Sequence, residues 1–251
     1  MQVFLSALLA IFIQNEAPAA GSGRVDDILS KLQQRSDGLK DIQASVVFVD
    51  DDQINLSKGE KKGRILFWMT EPNPHFLIHF DRTQTDGVLG QQEWYLFDGR
   101  WLYQGVERLK EVTKQEMARP GERLDLFDIE KTPFPLPFGQ KKDQILKNFD
   151  VTLALPSEGD LPGTDHLILA PKPSSRMYRK YDRVDLYVHR DVHLPTKIVV
   201  MKNNGLERVV AEFPDLSNQS INTGVGERDF QRPAAWSGYK EHVEELVPAG
   251  D

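Results

Sequence analysis

The chain of 251 residues contains no cysteine. That absence excludes a disulfide framework, a thiol nucleophile, a thiolate metal site and a lipidated N-terminal cysteine. No apolar run reaches the roughly 18 residues of a bilayer-spanning helix. Basic charge is in deficit, with 31 Lys and Arg against 38 Asp and Glu for a net charge of −7. A nucleic-acid binder needs a basic footprint, so nucleic acid is excluded as the main partner. The G-x-S-x-G, P-loop, G-x-G-x-x-G and H-E-x-x-H signatures are all missing. What remains is a globular composition: 39% hydrophobic, 27% charged, with 13 Phe, 4 Trp and 6 Tyr,. The length suits one large domain or two small ones.

Residues 3–13 form an apolar run that is too short to span a bilayer but suits the core of a secretory signal. Ala17, Pro18, Ala19 and Ala20 supply small residues for cleavage, although no Lys or Arg precedes the run. The reading is a signal peptide over residues 1–20, with export of the mature chain. A buried N-terminal strand or helix is the alternative.

Val25, Ile28, Leu29 and Leu32 recur at helical spacing, with Asp26, Asp27, Lys31 and Gln33 opposite. They predict an amphipathic helix ending near Ser36, Asp37 and Gly38. Short aromatic and β-branched runs follow at 44–49, 63–69, 76–80, 94–97 and 101–103, separated by turn residues. Asp98-Gly99 and Asn204-Gly205 are the strongest hairpin signals. Residues 115–118 and 124–129 read as short helices, and 140–149 as a helix with Ile145, Leu146 and Phe149 on one side. Strands resume at 151–155, 166–170, 183–189, 196–202, 207–213 and 220–222. Residues 239–246 read as an exposed helical turn or two. Strand and helix do not alternate, which argues against a parallel α/β sheet. Between the two groups of strands, residues 132–139 (TPFPLPFG) carry prolines that fix φ and remove donors. Such a segment cannot join the sheet, so Phe134, Leu136 and Phe138 must lie on something apolar, most simply the concave face of a curved sheet.

Little in the chain suggests chemistry. His75 and His79 would share a strand face about 13 Å apart, too far for one metal. His189 and His193 flank a turn without an evident third ligand. Asp50, Asp51 and Asp52 match no calcium loop. Binding is the stronger lead, because several strands are apolar on both faces. Ile65, Phe67 and Met69 oppose Leu66 and Trp68, and Trp94 and Leu96 oppose Tyr95 and Phe97. One face packs a core; the other needs a second cover or a ligand.

From about residue 25 to 233 the chain resembles the LolA-like periplasmic lipoprotein carriers, the outer-membrane lipoprotein-sorting proteins. The resemblance is carried by the first helix and residues 39–44 (LKDIQA), then 62–76 (KGRILFWMTEPNPHF). It continues through the hairpin at Asp98-Gly99, Thr132-Pro133-Phe134, and 165–172 (DHLILAPK). Residues 184–188 (VDLYV), Leu194-Pro195 and the closing Asp229, Phe230 and Pro233 complete it. It implies an α+β, mainly β fold: a curved antiparallel sheet forming an unclosed β-barrel, with a helical lid over its concave face. The carrier domain would span 21–233, leaving a polar tail over 234–251. It implies a monomer that holds acyl chains of a lipoprotein or other lipid without performing chemistry, and without cofactor or metal. Cargo would come from an inner-membrane transporter and go to an outer-membrane acceptor. The expected lid side is Phe134, Leu136, Phe138, Ile145 and Phe149. The expected sheet side is Ile65, Phe67, Phe76, Ile78, Phe80, Trp94 and Leu96. The chain departs from the family at Glu71, where well-known members place an arginine that bonds lid backbone. A carboxylate accepts but cannot donate, so the latch differs or is absent. The alternatives are an envelope structural or lipid-sensing protein of the same fold, or a hydrolase built around His166 or His189.

Overall fold

A computed structural model describes residues 20–124, 135–157 and 160–246. Helix α1 (Ala20–Asp37) comes first, and its apolar stripe buries Val25, Ile28, Leu29 and Leu32. Seven strands follow: β1 (Asp41–Asp52), β2 (Ser57–Trp68), β3 (His75–Thr85), the short β4 (Val88–Leu89), β5 (Glu93–Phe97), β6 (Trp101–Val106) and β7 (Glu111–Glu116). Helix α2 (Lys142–Asn148) leads directly into β8 (Phe149–Leu153). The last strands are β9 (Thr164–Pro171), β10 (Arg183–His189), β11 (Pro195–Lys202), β12 (Glu207–Glu212) and β13 (Lys240–Glu244).

Among the described residues all thirteen strands belong to one sheet. The order is β13-β7-β6-β5-β3-β2-β1-β12-β11-β10-β9-β8, with β4 beside β3. Every pairing is antiparallel except β13 with β7. The sheet does not close, since β8 and β13 end the order unpaired with each other. The mainly β, open-sheet architecture expected from the sequence is the one observed. The turn chemistry also holds, for Gly99 and Asn203, Asn204 and Gly205 all take positive φ.

Three local expectations are corrected. Residues 115–118 do not form a helix: Gln115 and Glu116 belong to β7, paired with β6. Pairing on both edges overrides the helical preference of a Gln-Glu-Met stretch. Residues 239–246 contain β13 instead of helical turns, and it runs parallel to β7. The 220–222 strand reduces to a single bridge between Ile221 and Ile42. Most of the expected 124–129 helix lies outside the described residues.

The inner face of the sheet, which carries α1 and α2, holds the main core. Cross-strand neighbours there are Ile65 with Ile78, Phe67 with Phe76, Phe76 with Phe97 and Ile78 with Tyr95. Phe67, Phe76 and Phe80 are completely buried. α2 is tied to α1 through Lys142, whose Nζ meets Asp26 Oδ1 at 2.5 Å and Ser30 Oγ at 3.0 Å. The outer face is apolar too. Trp94, Leu96 and Val112 cluster there with Phe230 and Trp236, joined by Leu66, Trp68 and Leu77. The second cover demanded by two-faced strands is therefore the chain's own C-terminal segment. Phe230 stacks on Trp68 at 6.0 Å and 19°. The Trp236 indole lies where a side chain on Gly105 would be, an added Cβ falling 2.1 Å from its Nε1.

Gly105→Ala should therefore lift Trp236 from the sheet and cost about 1–3 kcal/mol, the usual range for overpacking. Urea denaturation followed by far-ultraviolet circular dichroism would measure it; an unchanged midpoint would show that the C-terminal cover does not depend on this contact.

Candidate functional site

The site is the meeting of the inner sheet face with residues 135–138. Pro135 and Pro137 have no amide hydrogen, so this stretch cannot pair as a central strand. It is held by the side chains of Leu136 and Phe138. Leu136 is 1% and Phe138 3% exposed. The Phe138 ring sits 5.6 Å from Phe67 and 4.8 Å from Phe213. Ile145 from α2 and Phe149 from β8 close the same core. Thus nine of the residues singled out in the sequence come together: Ile65, Phe67, Phe76, Ile78, Phe80, Leu136, Phe138, Ile145 and Phe149. Phe134 lies outside the described residues.

Trp94 and Leu96 do not join them, which corrects the assigned phase of β5. Phe97 pairs with Phe76 and Tyr95 with Ile78, so Tyr95 and Phe97 face inward. Trp94 pairs with His79 on the outer face and stacks on it at 4.9 Å and 4°. A strand that is apolar on both faces gives no internal signal of phase, and a one-residue shift exchanges every side chain. Phe213, just after β12, packs on the Phe138 ring and is among the inner residues that the sequence alone did not single out. Only its place after the β12 alternation hinted at it.

Beside the plug a cleft of about 720 Å³ opens between the β2–β3 turn, residues 138–149 and residues 174–177. Met69, Leu124, Phe138, Ile145, Phe149 and Met177 supply its apolar wall. Further along the inner face a polar group interrupts the apolar surface. Lys61 Nζ meets Glu93 Oε2 at 2.7 Å, and the Tyr95 hydroxyl donates to the same oxygen at 2.9 Å. Burial, with the Glu93 carboxylate beside it, pushes the Tyr95 phenol well above its ordinary range.

The position marked by the family departure has its own arrangement. Glu71 Oε1 lies 3.6 Å from the Arg123 guanidinium, with both side chains mostly in solvent. Such a pair contributes little. The firm attachment is two residues further on. Asn73 is 1% exposed. Its Nδ2 donates to the Gly99 and Glu122 carbonyls at 2.9 and 2.7 Å. Its Oδ1 accepts from the Leu124 amide at 2.7 Å. One amide side chain thus binds the β2–β3 turn to the β5–β6 turn and to residues 122–124.

Four of the histidines make hydrogen bonds within the fold. His166 is held between Asp160 and Asp185, 3.1 Å from each, and stacks on Tyr187 at 4.2 Å. With both ring nitrogens on carboxylates, the ring has none left to activate a hydroxyl. His189 Nδ1 accepts from the Asp191 and Val192 amides. His79 bonds Gln92, and His75 bonds Thr70. Among the described residues no group of three or more His, Asp or Glu is placed to hold a metal. No described helix is long and apolar enough to cross a membrane.

No protein-family model and no curated protein matches the sequence. Solved structures do resemble it. An uncharacterized conserved protein from Thermus thermophilus is 11% identical with a TM-score of 0.45, over 88% of this chain and 99% of that one. MucB is 20% identical with a TM-score of 0.43, over 86% of this chain and 65% of its own, so this chain spans less than two thirds of MucB. An outer membrane lipoprotein-sorting protein domain from Vibrio parahaemolyticus is 13% identical with a TM-score of 0.41, over 81% and 94%. The likeness is one of fold at low identity.

Asn73→Ala should cost about 2–4 kcal/mol, from three lost bonds within a buried site. Glu71→Ala should change stability by no more than about 0.5 kcal/mol. Chemical denaturation of the two variants checks the contrast, and faster hydrogen exchange at the Leu124 amide should accompany the first alone. Equal losses in both would return the anchoring role to Glu71.

Proposed function

We propose that the protein is a periplasmic carrier that binds the acyl chains of a lipoprotein or other lipid and performs no chemistry. On this reading residues 1–20 are an export signal. Cargo comes from an inner-membrane donor and passes toward an outer-membrane acceptor, with the protein acting as a monomer. One observation carries the proposal: the apolar inner face is covered by Leu136 and Phe138 on a proline-bounded segment, next to a cleft that reaches Phe138, Ile145 and Phe149. A cover held by side chains alone is replaceable by an alkyl chain of similar bulk. The core would stay filled in both states, once by the protein and once by its cargo.

The same burial supports a competing reading, in which the interior is permanently filled and the protein is a structural or lipid-sensing part of the envelope. The two differ in whether the plug moves. Native tryptophan emission is a poor reporter of that movement. Trp68, Trp94 and Trp236 belong to the outer cluster, and Trp101 lies with them on β6, under Lys114 Nζ at 4.4 Å.

Calorimetric titration with a triacylated lipopeptide and its unacylated twin should give saturable binding of the acylated form alone. The cysteine-free background allows a direct test of the plug. A Cβ on Gly139 would lie 3.1 Å from the Met69 Cε. Met69→Cys with Gly139→Cys, joined by a bis-thiol-reactive linker, should fasten the plug and reduce lipopeptide binding at least about tenfold, the equivalent of 1.4 kcal/mol. The unlinked double variant should still bind. Binding that survives the linker would count against plug displacement, and absence of binding by the native chain would favour the permanently filled core.

A further inference from the structure

Three hairpin turns meet at one end of the sheet. Residues 53–56 join β1 to β2, residues 86 and 87 join β3 to β4, and residues 203–206 join β11 to β12. They lie side by side. The Gln53 amide donates to the Leu206 carbonyl at 2.9 Å, and the Asp86 amide donates to the Lys58 carbonyl at 2.9 Å. Turns are ordinarily built from Gly, Pro, Asn, Asp and Ser. Here each one ends in or leads to a leucine: Leu56, Leu89 and Leu206, with Ile54 and Val88 beside them. All five side chains are exposed, Leu56 at 86% and Leu89 at 80%. They are half of the ten large apolar side chains exposed among the described residues. Leu56 also has a φ of 54°. Asn and Gly take that left-handed conformation readily, whereas a leucine is strained in it. Its side chain lies in solvent, so packing within the fold does not offset the strain.

We infer that this fringe of hairpin tips docks the protein on a lipid bilayer, its five aliphatic side chains entering the headgroup region. The inference stands apart from the carrier reading and adds a membrane contact to the molecule. Two observations favour a bilayer over a protein partner. The tips at 53–56, 86–89 and 203–206 amount to twelve residues, against about 20–30 on each side of a stable protein interface. They also include no aromatic or arginine anchor,. Isolated side chains on separate tips need no complementary surface in a bilayer, where attachment scales with the apolar area inserted. The flanking charges are mixed, Asp52, Asp86 and Glu207 standing beside Lys58, Lys202 and Arg208. Attachment therefore follows apolar insertion and not lipid charge.

The cysteine-free chain allows the contact to be mapped directly. Leu56→Cys, Leu89→Cys and Leu155→Cys, each labelled with a polarity-sensitive fluorophore, are mixed with phosphatidylcholine vesicles. Leu155 is as exposed as Leu56 but follows β8 at the other end of the sheet. Emission from positions 56 and 89 should shift to the blue and become shielded from a water-soluble quencher, while position 155 stays unchanged. Attachment through the apolar run at 3–13 would not single out 56 and 89. In the unlabelled chain, Leu56→Asn with Leu89→Ser should weaken vesicle binding about tenfold or more. The fold should be kept, because Asn suits the left-handed turn position. Replacing part of the phosphatidylcholine by phosphatidylglycerol should change affinity less than about twofold, since mixed charges leave little net attraction. A response equal at all three positions, undiminished binding by the double variant, or no vesicle binding at all would each overturn the fringe as a membrane contact. Binding only to phosphatidylglycerol vesicles would overturn apolar insertion as its basis. Concentration-dependent association of the native chain without vesicles, abolished by the same two substitutions, would replace the bilayer by a second copy of the chain.

Discussion

The structure depends on one constraint: a long antiparallel sheet with apolar side chains on both faces has to be covered twice. Exposing either face would leave a hydrophobic patch far larger than a soluble monomer ordinarily shows. The chain meets the requirement in two different ways. Outside, a C-terminal segment lays Phe230 and Trp236 against Trp68, Trp94 and the bare backbone of Gly105. It is fastened at its end by the β13–β7 ladder. Inside, α1 and α2 together with Leu136 and Phe138 bury their apolar side chains in the main core against the sheet.

The difference between the two covers is where function enters. The outer cover has a backbone ladder, and removing it would break β-pairing as well as side-chain packing. The inner cover around Leu136 is built from residues whose alternate amides are absent,. Among the described residues its free energy therefore lies in the burial of Leu136 and Phe138. Asn73 completes the distinction by fixing residues 122–124 at the start of this region through two hydrogen bonds, with a third to the β5–β6 turn. The entrance to the segment is anchored firmly, and the plug that follows relies on replaceable apolar contact.

Much of this was legible in the sequence. The spacing of Val25, Ile28, Leu29 and Leu32 specified α1, and Asp98-Gly99 and Asn204-Gly205 specified two reversals. β10 has the bounds that its alternation indicated. The prolines located the segment that stays out of the sheet, and its Leu136 and Phe138 lie where an apolar pair excluded from pairing must lie. The failures have equally physical reasons. β5 (EWYLF) is buried on both faces, so its alternation carries no phase information, and Trp94 and Leu96 were set on the wrong side. β13 (KEHVE) is a mostly exposed edge strand, and its placement comes from pairing with β7. Asn73 looked like an ordinary turn residue because its partners are 26, 49 and 51 positions away.

The plug also sets the scale on which a carrier of this design would operate. Burying a Leu or Phe side chain contributes about 1.5–3 kcal/mol, so displacing Leu136 and Phe138 costs about 3–6 kcal/mol. Each buried methylene of a ligand returns about 0.8 kcal/mol. Roughly four to eight methylenes therefore go to replacing the plug before any net affinity appears. A short-chain amphiphile cannot open such a site, whereas a long acyl chain can, with a hold several kcal/mol weaker than an empty cavity of the same shape would give. That reduction suits a protein that must give its cargo up. In such a carrier Leu136 and Phe138 would return to the vacated surface on release, so the apolar inner face would not be left to water, and the energy of the closed state would oppose retention of the ligand. A preformed empty cavity would bind more tightly but would have no internal competitor to assist release. Under this scheme a filled core is consistent with a binding function, because the residues that fill it are the ones a lipid tail would replace.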